Sequence, residues 1–248
     1  MIRTILVVTV ALLFILIPTP FVILYTLIAR NTDFLYRFGM VGVRTALWVA
    51  GVKREVHGQE RIPRDRAVVF MANHQGNADP PAIMAVLPPV LVLAKKEFFR
   101  IPILGFGMRL RGFIPVDRRN RERAIRAIEE GVVALKAGNS FLAFPEGTRS
   151  PDGRLLPFKK GVFVLAIKAG VPIVPISVSG SREIMRKGEF SIHPGTVRIV
   201  FHDPVPTEGF SVEDRDVIKE KVWQAIRSGL EDGEEPDSAR GTASLNPR

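Results

Sequence analysis

The sequence predicts an α/β fold, a mixed central β-sheet flanked by helices, behind an N-terminal two-helix membrane-binding motif. Three observations predict it. No residue from Thr4 to Ala29 is charged, and Arg3 and Arg30 bracket this apolar run. After Gly51 the composition changes to short β-branched or aromatic runs that alternate with stretches of helical periodicity. The chain has 248 residues, 46% of them hydrophobic, enough for one globular domain with an appendage.

Taken in order, the N-terminal run is long enough for a bilayer span, which needs about 20 apolar residues. Pro18 and Pro20 interrupt it, however, and the piece from Thr4 to Ile17 would reach only about 21 Å as a helix, short of a hydrocarbon core about 30 Å thick. The stretch 33–52 resumes helical spacing. Arg37 and Arg44 fall on one face, with Leu35, Phe38, Val41, Leu47 and Trp48 for the other, the pattern of an interfacial helix. A two-helix hairpin seated in one leaflet is expected rather than a complete span. A cleaved signal peptide is disfavoured, because the run exceeds the usual 7–15 or so apolar residues and no small-x-small site follows it.

Strands are expected near residues 67–71, 90–94, 112–116, 140–144, 173–178 and 196–201, bounded by Gly, Pro or polar turns. A helix capped by Asn120 carries Ile125, Ile128, Val132 and Leu135 at helical spacing and stops at Gly138. A second runs from Lys160 to Ala169 before Gly170. A third begins at Ser211, with Asp214 placed for a capping box, and continues towards Ser228. The tail 229–248 is polar, acidic and expected to be flexible.

Composition narrows the function. With no cysteine, the chain has neither a disulfide scaffold nor an acyl-cysteine intermediate. Formal charge is +10, and since the stretch from Glu208 onward holds ten acidic and six basic residues, the preceding body stands at +14. An anionic partner follows: nucleic acid, an acidic membrane face, a phosphorylated substrate or an acidic carrier protein. Two Tyr and two Trp leave few stacking platforms, which argues against nucleic acid.

After the first core strand comes Asn73-His74-Gln75-Gly76-Asn77-Ala78-Asp79-Pro80-Pro81. Asp79 stands where an N-cap would, and capping alone would account for it. Alternatively the turn folds Asp79 onto His74, fixes the tautomer and leaves the other ring nitrogen as a base. Spacing alone does not decide between the two. A second turn, Phe144-Pro145-Glu146-Gly147-Thr148-Arg149-Ser150, puts an acid and a guanidinium at another strand end, where α/β sheets keep their sites. Either it is a turn with a Glu-Arg ion pair, or Arg149 binds a phosphate while Glu146 holds it or receives a substrate hydroxyl. Gly112-Phe113-Ile114-Pro115-Val116-Asp117-Arg118 ends a third strand in arginine, and Val171-Pro172-Ile173-Val174-Pro175-Ile176 opens a buried one. No Gly-x-Ser-x-Gly elbow is present, so a serine hydrolase is unsupported.

In this order the four segments resemble the sequence blocks of the glycerolipid acyltransferase family, most closely its 1-acylglycerol-3-phosphate (lysophosphatidic acid) acyltransferases, over residues 60–200. The resemblance implies transfer of a fatty acyl chain from an acyl thioester to the sn-2 hydroxyl of lysophosphatidic acid, giving phosphatidic acid. Carried over, His74 is the general base and Asp79 its orienting partner; Arg118, Glu146, Gly147, Thr148 and Arg149 bind the acceptor's phosphate and glycerol. Pro115 departs from the apolar or aromatic residue common in that block, which bears on the local backbone path and not on Arg118. No metal, bound cofactor or covalent intermediate is required. The donor substrate is a thioester of coenzyme A or acyl carrier protein, the other partners are membrane lipids, and nucleic acid is not expected. Backbone amides of the His74 turn or the ammonium of Lys95 would stabilise the oxyanion. The expected division is a membrane-anchoring segment 1–55, a catalytic domain 56–228 and the tail 229–248, at the cell membrane with the catalytic domain on the cytoplasmic face, where acyl thioesters are found. The competing reading is a basic peripheral adaptor whose His and Asp merely cap a turn.

Overall fold

The computed structural model describes residues 1–117, 120–186 and 188–230. The apolar run forms two helices, α1 (Ile2–Leu16) and α2 (Pro18–Ala29), meeting at Ile17. Pro18 has no N–H to give the carbonyl of Phe14 four residues back, and the hydroxyl of Thr19 takes that oxygen instead at 2.8 Å. The chain then turns through a left-handed Arg30 into α3 (Thr32–Val49), whose first turn is capped by Asn31 accepting from the Phe34 amide at 3.0 Å. α3 runs back antiparallel to α1. Phe14 stacks on Phe38 at 4.6 Å, and Arg3 donates to the carbonyl of Ala50. The paired arms are thus the broken helix α1–α2 and the continuous α3.

Outward from this pair faces an apolar surface without charge. Ile5, Leu6, Leu12, Leu13 and Leu16 on α1, Ile17 at the junction, and Phe21, Leu24 and Ile28 on α2 are all exposed. A surface of that extent belongs in lipid rather than in water. On α3 the faces differ from expectation, because Val41 and Trp48 share the exposed stripe with Phe34, Arg37 and Arg44. Tyr36, Met40 and Leu47 are instead buried in the core beneath the sheet. The helix covers the sheet as well as pairing with α1, so its apolar residues are divided between two tasks.

The sheet has seven strands: β1 (Val52–His57), β2 (Val69–Ala72), β3 (Val90–Lys95), β4 (Ile114–Val116), β5 (Ser140–Ala143), β6 (Ile173–Ser179) and β7 (Gly195–Phe201). Their order is β1-β7-β6-β2-β5-β3-β4; every neighbouring pair is parallel except β6 and β7. The sheet is therefore mixed, and the six expected strands are present. β1 was not expected. Lys53, Arg54 and Glu55 are exposed on it, as suits an edge strand that pairs only with β7, and the charges conceal it from a search for apolar runs. The division expected between residues 55 and 56 falls inside this strand.

Alternation along the strands separates two cores. Phe70, Leu142, Val174 and Ile176 face α3, α4 (Asp79–Met84) and α8 (Ser181–Ile184). Val69, Met71, Phe141 and Ile173 face α6 (Arg121–Lys136), α7 (Gly161–Ala169) and α9 (Arg215–Ser228). The remaining helix, α5 (Leu104–Arg111), meets the anchor: Leu110 packs with Val22, Ile23 and Leu35. Asn120 caps α6 by accepting from the Arg123 amide at 3.0 Å, and Ser211 with Asp214 forms the capping box ahead of α9. Because β2 to β6 run parallel, the turns that follow them gather along one edge of the sheet. Arg118, Arg119, Lys187 and the tail beyond Leu230 lie outside the described residues.

Candidate active site

The turn after β2 is built around the carboxylate of Asp79. Its Oδ2 accepts from the backbone N–H of Gln75 at 2.7 Å and of Gly76 at 2.9 Å, and lies 2.7 Å from Nδ1 of His74. Asp79 is fully buried and is the first residue of α4, whose cap is Ala78 and carries no side-chain cap bond. Simple N-capping therefore does not describe it: the carboxylate folds back over the turn instead of down onto the helix. Gly76 is required by close approach, since a Cβ there would stand 2.6 Å from the carbonyl oxygen of Ser181.

An oxygen already accepting two amide protons acts as an acceptor towards the ring as well, so Nδ1 of His74 carries the proton and Nε2 holds the lone pair. The imidazole is stacked on Phe144, with ring centroids 4.2 Å apart, and its side chain is 13% exposed. Asn73, one residue earlier, is buried and locks the strand end to β6, giving Nδ2–H to the carbonyl of Val178 at 2.8 Å and accepting its amide at 2.7 Å.

The turn after β5 lies directly against this one. Oε1 of Glu146 accepts from the backbone N–H of His74 at 2.7 Å, and the Ser150 amide donates to the carbonyl of His74 at 2.7 Å. Oε2 of Glu146 accepts from Leu156 at 3.3 Å. Glu146 is only 2% exposed, and burial pushes its carboxyl up from the ordinary 4.5 to about 8, against the lowering effect of the two backbone donors. Gly147 turns at φ 70°, and Lys159 crosses so close that a Cβ at residue 147 would meet its side chain at 2.9 Å. Thr148 is exposed at the tip, and Arg149 bonds the side-chain oxygen of Asn77, tying the second turn to the first.

Of the residues singled out by sequence, His74, Asp79, Glu146, Gly147, Thr148 and Arg149 thus fall within two adjoining turns. Arg118 lies outside the described residues; Asp117 before it is buried and receives Lys96 at 2.6 Å and Arg123 at 3.4 Å. Lys95 is the last residue of β3. It is exposed and 3.9 Å from Glu97, because β3 ends with its side chain turned away from that of Lys96. Residues 171–176 lead into and along β6 beside β2: the Pro172 carbonyl accepts from Val69 at the start of β2, and Ile176 pairs with Ala72 at its end. Sequence reasoning gave no role to Asn73, Asn77, Phe144 or Lys159. The first three stand inside the quoted motifs; Lys159 reaches the site only through the loop after residue 150.

Fold and site define an α/β protein with a histidine–aspartate pair at the carboxyl edge of its sheet, next to a basic turn and an apolar anchor. Residues 53–179 match a family model described as acyltransferase. A chloroplastic 1-acyl-sn-glycerol-3-phosphate acyltransferase of Brassica napus is 37% identical over 155 residues, 62% of this chain and 45% of that protein. A 1-acyl-sn-glycerol-3-phosphate acyltransferase of Limnanthes douglasii is 33% identical over 192 residues, 77% of this chain and 68% of that one. The chain thus spans less than half the length of the Brassica relative. The crystal structure of the 1-acyl-sn-glycerophosphate (LPA) acyltransferase PlsC from Thermotoga maritima superposes with a TM-score of 0.78 at 31% identity, covering 92% of this chain and 94% of that one. The chain belongs to the acyltransferase family.

Proposed function

We propose that the protein moves a fatty acyl chain from an acyl thioester to the sn-2 hydroxyl of 1-acylglycerol-3-phosphate, giving phosphatidic acid, with His74 as general base. The observation that carries this reading is the His74–Asp79 contact of 2.7 Å, which leaves Nε2 as the proton acceptor. In the reaction Nε2 takes the hydroxyl proton as the alcohol oxygen attacks the thioester carbonyl. The tetrahedral oxyanion collapses, the carbon–sulfur bond breaks, and the imidazolium returns the proton to the thiolate. Asp79 stabilises the transient imidazolium, as a buried carboxylate does for a base histidine. Arg149 and the neighbouring Lys159, with Arg118, supply positive charge for the acceptor's phosphate. The donor is a thioester of coenzyme A or of acyl carrier protein, and the +14 body suits either anionic donor as well as the anionic product.

The site then works at the membrane surface, with the catalytic domain on the cytoplasmic side where acyl thioesters are found. Both helices of the α1–α2 arm touch the rest of the chain, through Arg3 with Ala50 and through Val22 and Ile23 with Ile103 and Leu110. This supports an arm lying in one leaflet. Replacing Leu12 and Leu16 together by Asp is expected to release the protein from lipid vesicles into the supernatant on sedimentation, since an aspartate in a helix centre costs about 2.5–3.5 kcal/mol to insert. Retention of the double variant on vesicles would count against insertion.

The reaction itself is tested with purified protein in a matrix of acyl coenzyme A and acyl carrier protein thioesters against lysophosphatidic acid, other lysophospholipids and glycerol-3-phosphate. Phosphatidic acid from lysophosphatidic acid is the expected product. Transfer only to a different acceptor would overturn the substrate assignment.

A further inference from the structure

We infer that Glu146 is a positioning residue that holds the backbone of His74, rather than a ligand of the acceptor; the inference rests on His74 being the base. The turn after β5 grips His74 on both sides of its Cα. Glu146 takes its N–H and the Ser150 amide donates to its C=O, each at 2.7 Å. Phe144 of the same turn lies against the ring face, and Asp79 holds Nδ1. Every polar group of His74 except Nε2 is thereby engaged, and the imidazole has one orientation open to it. A proton must cross a hydrogen-bond distance in the transition state, so this orientation bears on rate.

Glu146 presents nothing to a substrate. Both of its oxygens are occupied by backbone N–H groups, and almost none of the residue is exposed. Its chemistry also suits the inward role: Arg149 on the same turn, and Lys159 crossing at Gly147, would attract a phosphomonoester, whereas the Glu146 carboxyl offers it no positive charge. The turn is divided, with Glu146 directed at the base and the cations at the acceptor.

What the backbone of His74 needs from residue 146 is an acceptor atom at the right reach; the amide oxygen of glutamine supplies one, and only the longer bond from the Leu156 amide, 3.3 Å, is given up. Glu146→Gln is therefore expected to keep kcat near wild type. Glu146→Asp, one carbon too short, and Glu146→Ala are expected to lower kcat by about 10²-fold, the typical cost of a misplaced catalytic group. In all three the KM for lysophosphatidic acid stays close to wild type. A ligand role predicts the reverse, and a KM about tenfold higher in Glu146→Gln, or a Gln variant as inactive as Ala, would overturn the inference. If the Asp and Ala variants do not fold, the KM and kcat of the Gln variant decide alone. A wild-type chain without transfer activity would refute the acyltransferase reading instead. The clamp would then be read from hydrogen exchange at the His74 amide: faster exchange in Glu146→Ala but not in Glu146→Gln supports it, and unchanged exchange in both overturns it.

Discussion

His74→Ala is expected to lower acyl transfer to lysophosphatidic acid by about 10² to 10⁴-fold, the range that a positioned general base contributes. The loss should fall on kcat, with KM for acceptor and donor little changed, because proton transfer is made only in the transition state. Residual activity above the uncatalysed rate would come from holding the two substrates in line and from backbone donors at the oxyanion. The fold should survive. His74 has a side chain that is partly exposed, and Asp79 keeps its bonds to the amides of Gln75 and Gly76. Steady-state rates on the folded variant settle the matter: equal activity of wild type and His74→Ala removes the base assignment, whatever the acceptor.

The second large effect concerns stability against pH. The carboxyl of Glu146 titrates at about 8 in the folded protein and at 4.5 ordinarily, so the folded state favours its protonated form. Its contribution to stability is complete below pH 4.5, declines as the pH rises towards 8, and is gone above that. At about 1.4 kcal/mol per unit the full span is on the order of 5 kcal/mol. Glu146→Gln, which is neutral throughout, should lose this slope and become the more stable of the two at pH 8 and above. His202 acts in the opposite sense: burial lowers its pKa, so its stabilisation is present above 6.5 and declines as the pH falls. The surface carboxylate of Asp216, held at about 2 by Lys160 and Lys219, contributes stability that is complete above 3.8 and is lost only as the pH falls from there towards 2. Comparing denaturant unfolding of wild type and Glu146→Gln from pH 5 to 9 isolates the group. Parallel curves would show that Glu146 is ionised in the folded protein.

Much of the fold can be read from local pattern. Asn120 and Ser211 announce their helices by side chains that satisfy backbone donors a few residues away, and six strands stand out as apolar runs between turns. β1 does not, because an edge strand with charged residues outward carries no such run. The faces of α3 are equally hidden: a helix wedged between an anchor and a sheet has two apolar sides, and periodicity cannot say which residue goes to which. In the site, His74 and Asp79 are close in sequence, and their pairing is legible as one of two alternatives. Lys159 is not legible, since nothing near it in the chain marks its approach to Gly147.

By itself, the sequence determined the α/β class, the apolar anchor and the order of the four segments, because hydrophobic spacing, caps and turns act over a few residues. Only the tertiary structure decided what each polar group faces. The parallel run of β2 and β5 sets the turns after them side by side, and this turns Glu146 inward to the amide of His74, 72 residues away, while Arg149 reaches Asn77. Such contacts depend on strand order and register, which are fixed by the burial of whole faces and are not written in the neighbours of any one residue.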